Sequence, residues 1–530
     1  MTSALPPPRQ FLYTLAPMAL LRSAATVGGY TMVSRLLGFV REMLVAAFLG
    51  ASPISDAFFV ALRLPNMFRS LFAEGAFNAA FVPLFAGKLA REGRPVARRF
   101  AEDALAVLLA ALLIFLVAGE LLAPRILDVI APGFRADPQK FALAVDLTRI
   151  MFPYLVFISL TALQGGVLNS LERFAATAFT PVLLNIFLIG VLLLVRPLTG
   201  EALAWAVAAA GLAQFLWLMF SCWQAGLPLS LPLPRLTPEV RRLLRIMLPG
   251  IFGAGVLQIN LVVSTAMASL LPTGTVSYLN YADRLNQLPL AVLGIAVGTA
   301  ILPPLSRQVR LGEDAAANTT QNRGMELALL LTLPAAIGLA IAAHPILAVL
   351  FQHGKFTAAD TAATAPALAA YAAGLPAFVM VKVMTPGYFA RHDTKTPVKI
   401  AALTMAVNVA LTLGLGLLLA QTGIALALSI AGWINALLLS IVLSRRGHFA
   451  LDQRLRRALP RILGAALGMG ALLLLLKRLL AGALAASLAV KLAALAALIG
   501  GGLAGYALLA LVFGVADWRE LRARLRRQPA

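Results

Sequence analysis

The feature that most constrains this chain is the recurrence of apolar runs about 20 residues long, the length a helix needs to cross a bilayer core. About fourteen such runs follow one another with short gaps between them. They lie near 26–49, 56–86, 101–123, 143–168, 177–196, 201–223, 245–271, 280–305, 325–343, 362–388, 398–420, 423–443, 459–479 and 485–513. The 530 residues are 60% hydrophobic and 12% charged, against about 25% charged in an ordinary soluble domain. Mean hydropathy is +0.88. A water-soluble protein of this length would have no surface to present, so the expected fold is an all-α polytopic membrane protein. The second run is the least regular, because Arg63, Pro65, Arg69 and Glu74 interrupt it.

The formal net charge is +22. Bulk charge alone does not separate nucleic-acid binding from membrane topology, but position does. With the N-terminus inside, internal gaps carry Lys88, Arg91, Arg94, Arg98 and Arg99, then Arg235, Arg241, Arg242 and Arg245. Arg307, Arg310, Arg391, Lys395, Lys399 and the run from Arg445 to Arg461 follow. External gaps hold far fewer: Arg125, Arg135, Lys140, Arg196 and Lys355, with Lys477 and Arg478 as the exception. This bias predicts both termini in the cytoplasm and an even number of crossings. The tail DWRELRARLRR reads as a basic surface segment drawn to anionic lipid heads. No nucleic-acid-binding module is recognisable. Cys222 is the only cysteine, which excludes an intrachain disulfide, and His344, His353, His392 and His448 are scattered without metal-ligand spacing. Residues 1–17 do not read as a cleavable signal, since Pro17 interrupts the apolar run. Met18 is a candidate start.

A faint internal repeat is present. DAFFVALRLPNMFRSLFAEGAFNAAFVPLF resembles VSYLNYADRLNQLPLAVLGIAVGTAILPPLS, and Arg63 precedes Pro83 by the interval that separates Arg284 from Pro304. Thr180–Pro181 and Thr396–Pro397 echo each other at nearly the same offset. An offset of about 220 residues is what parallel repeats of six helices each would give. The expected organisation is an extension at 1–22, a first lobe at 23–225, a second at 240–446, an added helix pair at 458–515 and a basic tail at 516–530.

Charges inside the apolar runs are the next constraint. Arg35, Arg41 and Glu42 fall in the first, Asp56, Arg63, Arg69 and Glu74 in the second, Asp283 and Arg284 in the eighth, and Lys382 in the tenth. An ionised side chain at mid-helix costs about 2.5–3.5 kcal/mol on insertion scales. Several together must face a wet or mutually paired interior. Arginine outnumbers the acids nearby, and a net-positive hollow suits an anion; the guanidinium fork matches phosphate oxygens. Asp56 and Arg63, seven apart, share a helix face and are expected to be partly tied together. Arg35 and Arg41 point about 240° apart on a straight helix, so a bend at Gly38 is expected to bring them to one cavity. Asn185, Asn260, Gln258, Asn408 and Asn435 read as helix-to-helix hydrogen-bonding residues.

The motifs SRLLGFVRE, SDAFFVALRLPNMFRSLFAEGAFNAAFVP, APGF, YADRL, GTAILPPLS, FQHGKFT and PGYFARHDTKTPVK together resemble the MurJ (MviN) family of lipid II flippases, in the multidrug/oligosaccharidyl-lipid/polysaccharide exporter superfamily. The resemblance implies fourteen helices, with two pseudo-symmetric six-helix lobes around a cationic cavity and a lipid-tail groove made by the last two. It implies lipid II as substrate, the bacterial cytoplasmic membrane as location, and a role in peptidoglycan biogenesis. The family's cavity arginines fall on Arg35, Arg41, Arg69 and Arg284, and its first-lobe aspartate on Asp56; Arg63 and Glu74 are further candidates. Gln287 stands where some members have an acid, and Glu42 where many have aspartate.

The expected mechanism is alternating access, with the diphosphate in the cavity and the lipid tail in the bilayer. No cofactor is expected. The membrane potential or a coupling ion is the candidate driver, and nothing resembles a P-loop. Membrane lipids and cell-wall synthesis proteins are candidate partners. The rivals are export of another lipid-linked oligosaccharide, drug/ion antiport, a polyprenyl-phosphate enzyme and a scaffold. Deleting residues 1–17 is expected to leave membrane insertion intact, as measured by fractionation; loss of the protein from the membrane would show that the extension matters.

Overall fold

The computed structural model describes residues 17–69 and 76–515. Glu74 and the tail helix expected at the C-terminus lie outside these residues. The described chain forms α1 (Pro17–Leu49), α2 (Pro53–Arg69), α3 (Ala76–Glu92), α4 (Arg94–Ile130), α5 (Pro138–Ser170), α6 (Phe174–Leu194) and α7 (Gly200–Gln224). After a linker come α8 (Pro238–Ser269), α9 (Thr275–Arg310), α10 (Asp314–Ile341), α11 (Ala343–Leu350), α12 (Ala358–Phe389) and α13 (Lys395–Arg445). The chain ends on α14 (Gln453–Leu479), α15 (Ala481–Leu484) and α16 (Leu488–Val512). There is no strand among the described residues.

Each apolar run falls on a helix. The run 56–86 falls on α2 and α3, and the runs 398–420 and 423–443 are the two limbs of α13. Nine helices among the described residues are long and apolar enough to cross a membrane by that measure alone. The surface confirms the solvent. Leu194 is 83% exposed, Leu418 78%, Leu417 76% and Ile114 73%, while Arg41, Glu42, Asp56 and Lys140 are buried. Apolar outside and polar inside is the arrangement hydrocarbon demands. The chain is a multi-pass membrane protein.

Side chains fix where several helices begin. Asp137 accepts from the backbone N–H groups of Gln139 and Lys140 at 3.1 Å each and starts α5. Thr357 and Asp360 cap α12 reciprocally. Asp393 accepts from the N–H groups of Lys395 and Thr396 ahead of α13 and from Arg446 at 2.6 Å. The hydrogen bonds from Thr396, with Arg446 beside them, hold the Asp393 carboxyl well below the usual carboxylate range.

In the N-terminal half α5 packs on α7 and α2, and α1 packs on α6; in the C-terminal half α12 packs on α13, α9 and α10. One apolar cluster joins the halves, with Val45, Phe58 and Leu64 against Tyr281, Leu285 and Phe351. The added pair is held along α10 at several levels. Asn322 donates to Ala450 O at 2.9 Å and accepts from Asp452 N at 3.1 Å, and Arg323 bridges Glu326 and Asp452. Further along, Tyr506 donates to Leu330 O at 2.7 Å and Lys477 to Ile341 O at 3.2 Å.

The two limbs of α13 join at Ala420, whose φ of 48° and ψ of −132° suit glycine rather than an L side chain. Ala420→Gly is therefore expected to stabilise the protein by about 1 kcal/mol, the strain relieved less glycine's entropy. Thermal unfolding in detergent checks this; an unchanged or lowered midpoint would contradict it.

Candidate functional site

A cavity of about 800 Å³ lies between α1, α2 and α6 on one side and α9, α12 and α13 on the other. Arg35, Arg41 and Arg69 line it from the first half, and Arg284 and Lys382 from the second. Asp283 is the one carboxylate among the described lining residues, against those five cations. The charges that are costly in hydrocarbon are thus gathered around a single hollow.

Four of the seven expected site residues meet here: Arg35, Arg41, Arg69 and Arg284. The bend expected at Gly38 is not needed. α1 runs helical through that position, and 240° one way around a helix is about 120° the other. The long side chains of Arg35 and Arg41, on the cavity-facing side with Ser34 and Gly38, reach the same space. Gly38 faces Asn185, whose amide would lie 3.7 Å from an added Cβ, an ordinary packing distance.

Glu42 links the two halves at the cavity wall. Its Oε1 receives Arg41 Nη2 at 2.6 Å and Arg284 Nη2 at 3.2 Å, and Asn280 Nδ2 donates to Oε2 at 3.3 Å. The longer arm of glutamate is compatible with this three-way contact. Asn185 completes the setting of Arg41, accepting from Nη1 at 3.0 Å while its own Nδ2 donates to Ser34 O at 3.0 Å. Arg69 Nε donates to Asn66 at 3.3 Å. Arg35 and Lys382 have no protein partner among the described residues, so their charge is available to a ligand.

Asp56 and Arg63 are not among the residues lining the cavity, nor are they bonded to each other. Asp56 is 1% exposed. It receives Lys140 Nζ at 2.8 Å, Gly274 N at 2.8 Å, Ser277 N at 3.0 Å and Ser277 Oγ at 2.7 Å. Four donors, three from the second half, saturate this carboxylate. Lys140 also sits over the Phe134 ring at 4.2 Å. Arg63 donates to Thr265 on α8. These contacts belong to a seal across the end of the molecule where α1 stops. Tyr281 donates to Gly50 O at 3.0 Å, and Lys355 N donates to Ala47 O at 2.8 Å. Gly354 permits that approach: its φ is +58°, and a Cβ there would lie 2.2 Å from Ala47 O.

Sequence reading missed Lys382 and Asn185 as members of the site. Lys382 was visible as a costly charge in the tenth run. Asn185 was read as a packing amide, and its role appears only once α6 is laid against α1. Asn408 does bond Asn260 between α13 and α8, as its reading proposed. Gln287 lines the cavity and donates to Asp283, so the neutral residue props a neighbouring acid.

Removing Lys140 would leave Asp56 buried without its counter-charge. Lys140→Met is expected to destabilise the protein by about 3–5 kcal/mol. Adding Asp56→Asn to Lys140→Met should restore part of the loss. A thermal-unfolding double-mutant cycle without coupling would show that the pair is not a unit.

Comparison with known proteins agrees with this architecture. A family profile described as "Lipid II flippase MurJ" matches residues 45–494. The probable lipid II flippase MurJ of Rhizobium meliloti is 48% identical over 86% of this chain and 86% of its own length. The lipid II flippase MurJ of Burkholderia cenocepacia is 39% identical over 86% of this chain and 90% of its own length. A solved structure described as "Lipid II flippase MurJ, inward closed conformation" superposes with TM-score 0.77 at 27% identity, covering 93% of this chain and 99% of that one. An inward-facing multidrug MATE transporter of the MOP superfamily shares the fold at TM-score 0.63 and 13% identity, covering 80% of this chain and 98% of its own. The chain belongs to the MurJ family of lipid II flippases.

Proposed function

We propose that this chain moves lipid II from the cytoplasmic to the periplasmic leaflet by alternating access, without chemical change to the substrate. The observation that carries the reading is the ring of five cations and one carboxylate around one cavity between the halves, in a member of a family named for lipid II. Arg35, Arg41, Arg69 and Arg284 replace the water shell of the diphosphate, and Lys382 adds a fifth positive charge. Guanidinium groups bind phosphate oxygens bidentately, and desolvation in the cavity strengthens each contact.

The sealed end, where Asp56 holds Lys140, Gly274 and Ser277, faces the periplasm in this reading, and both termini face the cytoplasm. Residues 23–225 and 240–446 act as the two lobes. Outward opening requires the Asp56 contacts to separate, so Asp56 and Arg63 serve the gate rather than the diphosphate. Glu42 couples the two: drawing Arg41 and Arg284 onto the diphosphate loosens a bridge between the lobes. The exposed leucines of α14 and α16, among them Leu467, Leu474, Leu503 and Leu508, offer an apolar surface for the polyprenyl tail. The membrane potential, worth about 2.3 kcal/mol per charge per 100 mV, is a sufficient driver for a charged carrier.

Arg41→Ala and Arg284→Ala are each expected to abolish growth of a flippase-depleted cell while leaving the protein in the membrane. Arrival of lipid II in the outer leaflet should fall with them. Normal growth with either variant would remove the cavity from the mechanism. Release of phosphate or sugar from lipid II by purified protein would place it among enzymes instead.

A further inference from the structure

A second pocket, of about 270 Å³, opens off the main cavity into the N-terminal half. The two share Asn66, Arg69, Pro181 and Leu184. The chemistry of the walls changes across that shared edge. Beyond Arg69 no charged residue among the described ones lines the second pocket; carboxamides and hydroxyls do, from α3, α5, α6 and α7.

The state of those groups gives the pocket a polarity. The hydroxyl hydrogens of Thr161, Thr177 and Thr180 are committed to carbonyls of their own helices, at 2.8, 2.8 and 2.7 Å. Thr180 has a specific reason: Pro181 has no N–H, and the hydroxyl bonds the Thr177 carbonyl in the same turn. The oxygens of these side chains keep free lone pairs. Gln214, 1% exposed, donates its Nε2 to Thr180 O at 2.8 Å and leaves Oε1 buried without a partner. Asn78 Oδ1 is likewise buried and unpartnered. Buried carbonyl oxygens left unpaired cost about 1–3 kcal/mol each, which a ligand can recover once the carboxamide turns toward it. The main cavity is rich in donors and suits an acceptor such as a diphosphate. The side pocket presents neutral carboxamides and hydroxyls, acceptor oxygens among them, and suits an uncharged group that brings O–H and N–H donors.

We infer that this pocket takes one ring of the substrate's sugar, an uncharged acetamido-hexose, while the diphosphate sits on the arginines next door. This rests on the flippase reading and assigns a further part of the substrate. The pocket is a third of the cavity's volume, so a sugar ring suits it and a pentapeptide does not. Among the described lining residues there is no lysine and no second arginine, which disfavours the acidic groups of a stem peptide.

The test uses the full chain in lipid nanodiscs and three ligands: undecaprenyl diphosphate, the undecaprenyl-diphosphate disaccharide without peptide, and lipid II. The wild type is expected to bind the disaccharide lipid about tenfold more tightly than undecaprenyl diphosphate, the yield of one or two net hydrogen bonds. Asn78→Leu removes one acceptor and Ala162→Leu fills the pocket. Each should erase most of that tenfold gain and leave undecaprenyl diphosphate binding as it was, which also reports an intact fold. Equal binding of undecaprenyl diphosphate and the disaccharide lipid by the wild type would overturn the assignment, whatever the variants do. So would a gain that appears only with the peptide present, or one that survives both substitutions. Binding of none of the three lipids would instead overturn the flippase reading itself.

Discussion

An ionised side chain has no stable place in hydrocarbon unless protein or water surrounds it, and this structure is organised by that constraint. Arg41, Glu42, Asp56 and Lys140 are all buried, and none is left with a lone charge. Two solutions are used. At the closed end, Asp56 is saturated by four donors and behaves as a structural rivet. At the cavity wall, Glu42 holds Arg41 and Arg284, and Arg35 and Lys382 have no protein partner among the described residues. The first solution suits a contact that closes the chamber, the second a chamber meant to be filled.

The two solutions are linked through the same short stretch of chain. α1 contributes Arg35 and Arg41 to the cavity, Glu42 to the bridge at its wall, and Ala47 and Gly50 to the seal a turn or two further on. α9 does likewise, with Gly274 and Ser277 beside its start at the seal and Arg284 in the cavity. A ligand that redirects Arg41 and Arg284 therefore acts on the helices that carry the closing contacts. Coupling of this kind needs only a rigid helix with a charge in each compartment.

Much of the fold was legible because apolar runs of spanning length leave few alternatives, and every run falls on a helix. The cavity arginines were legible for a related reason: charges in such runs are so costly that position alone marks them. The seal was harder to read. Asp56 looked like a partner for Arg63 because seven residues is two helical turns; the two charges attract across that distance without a hydrogen bond, its donors come from α5 and from the start of α9, and no local spacing encodes contacts between distant segments. Asn185 does bond helix to helix, from α6 to α1, as read; that its partner there is a cavity arginine was not legible for the same reason. The side pocket was invisible in sequence, since threonine and asparagine in apolar helices usually serve packing.

The attachment of the last helices has a consequence for how many bodies can shift. Asp452, Lys477 and Tyr506 tether α14 and α16 to α10 at separate levels along its length. A helix pair tied in this way cannot swing independently of α10. In the alternating-access reading proposed above there are then two moving parts instead of three, and a hydrocarbon chain resting on the final pair would be carried as a passenger by the second half.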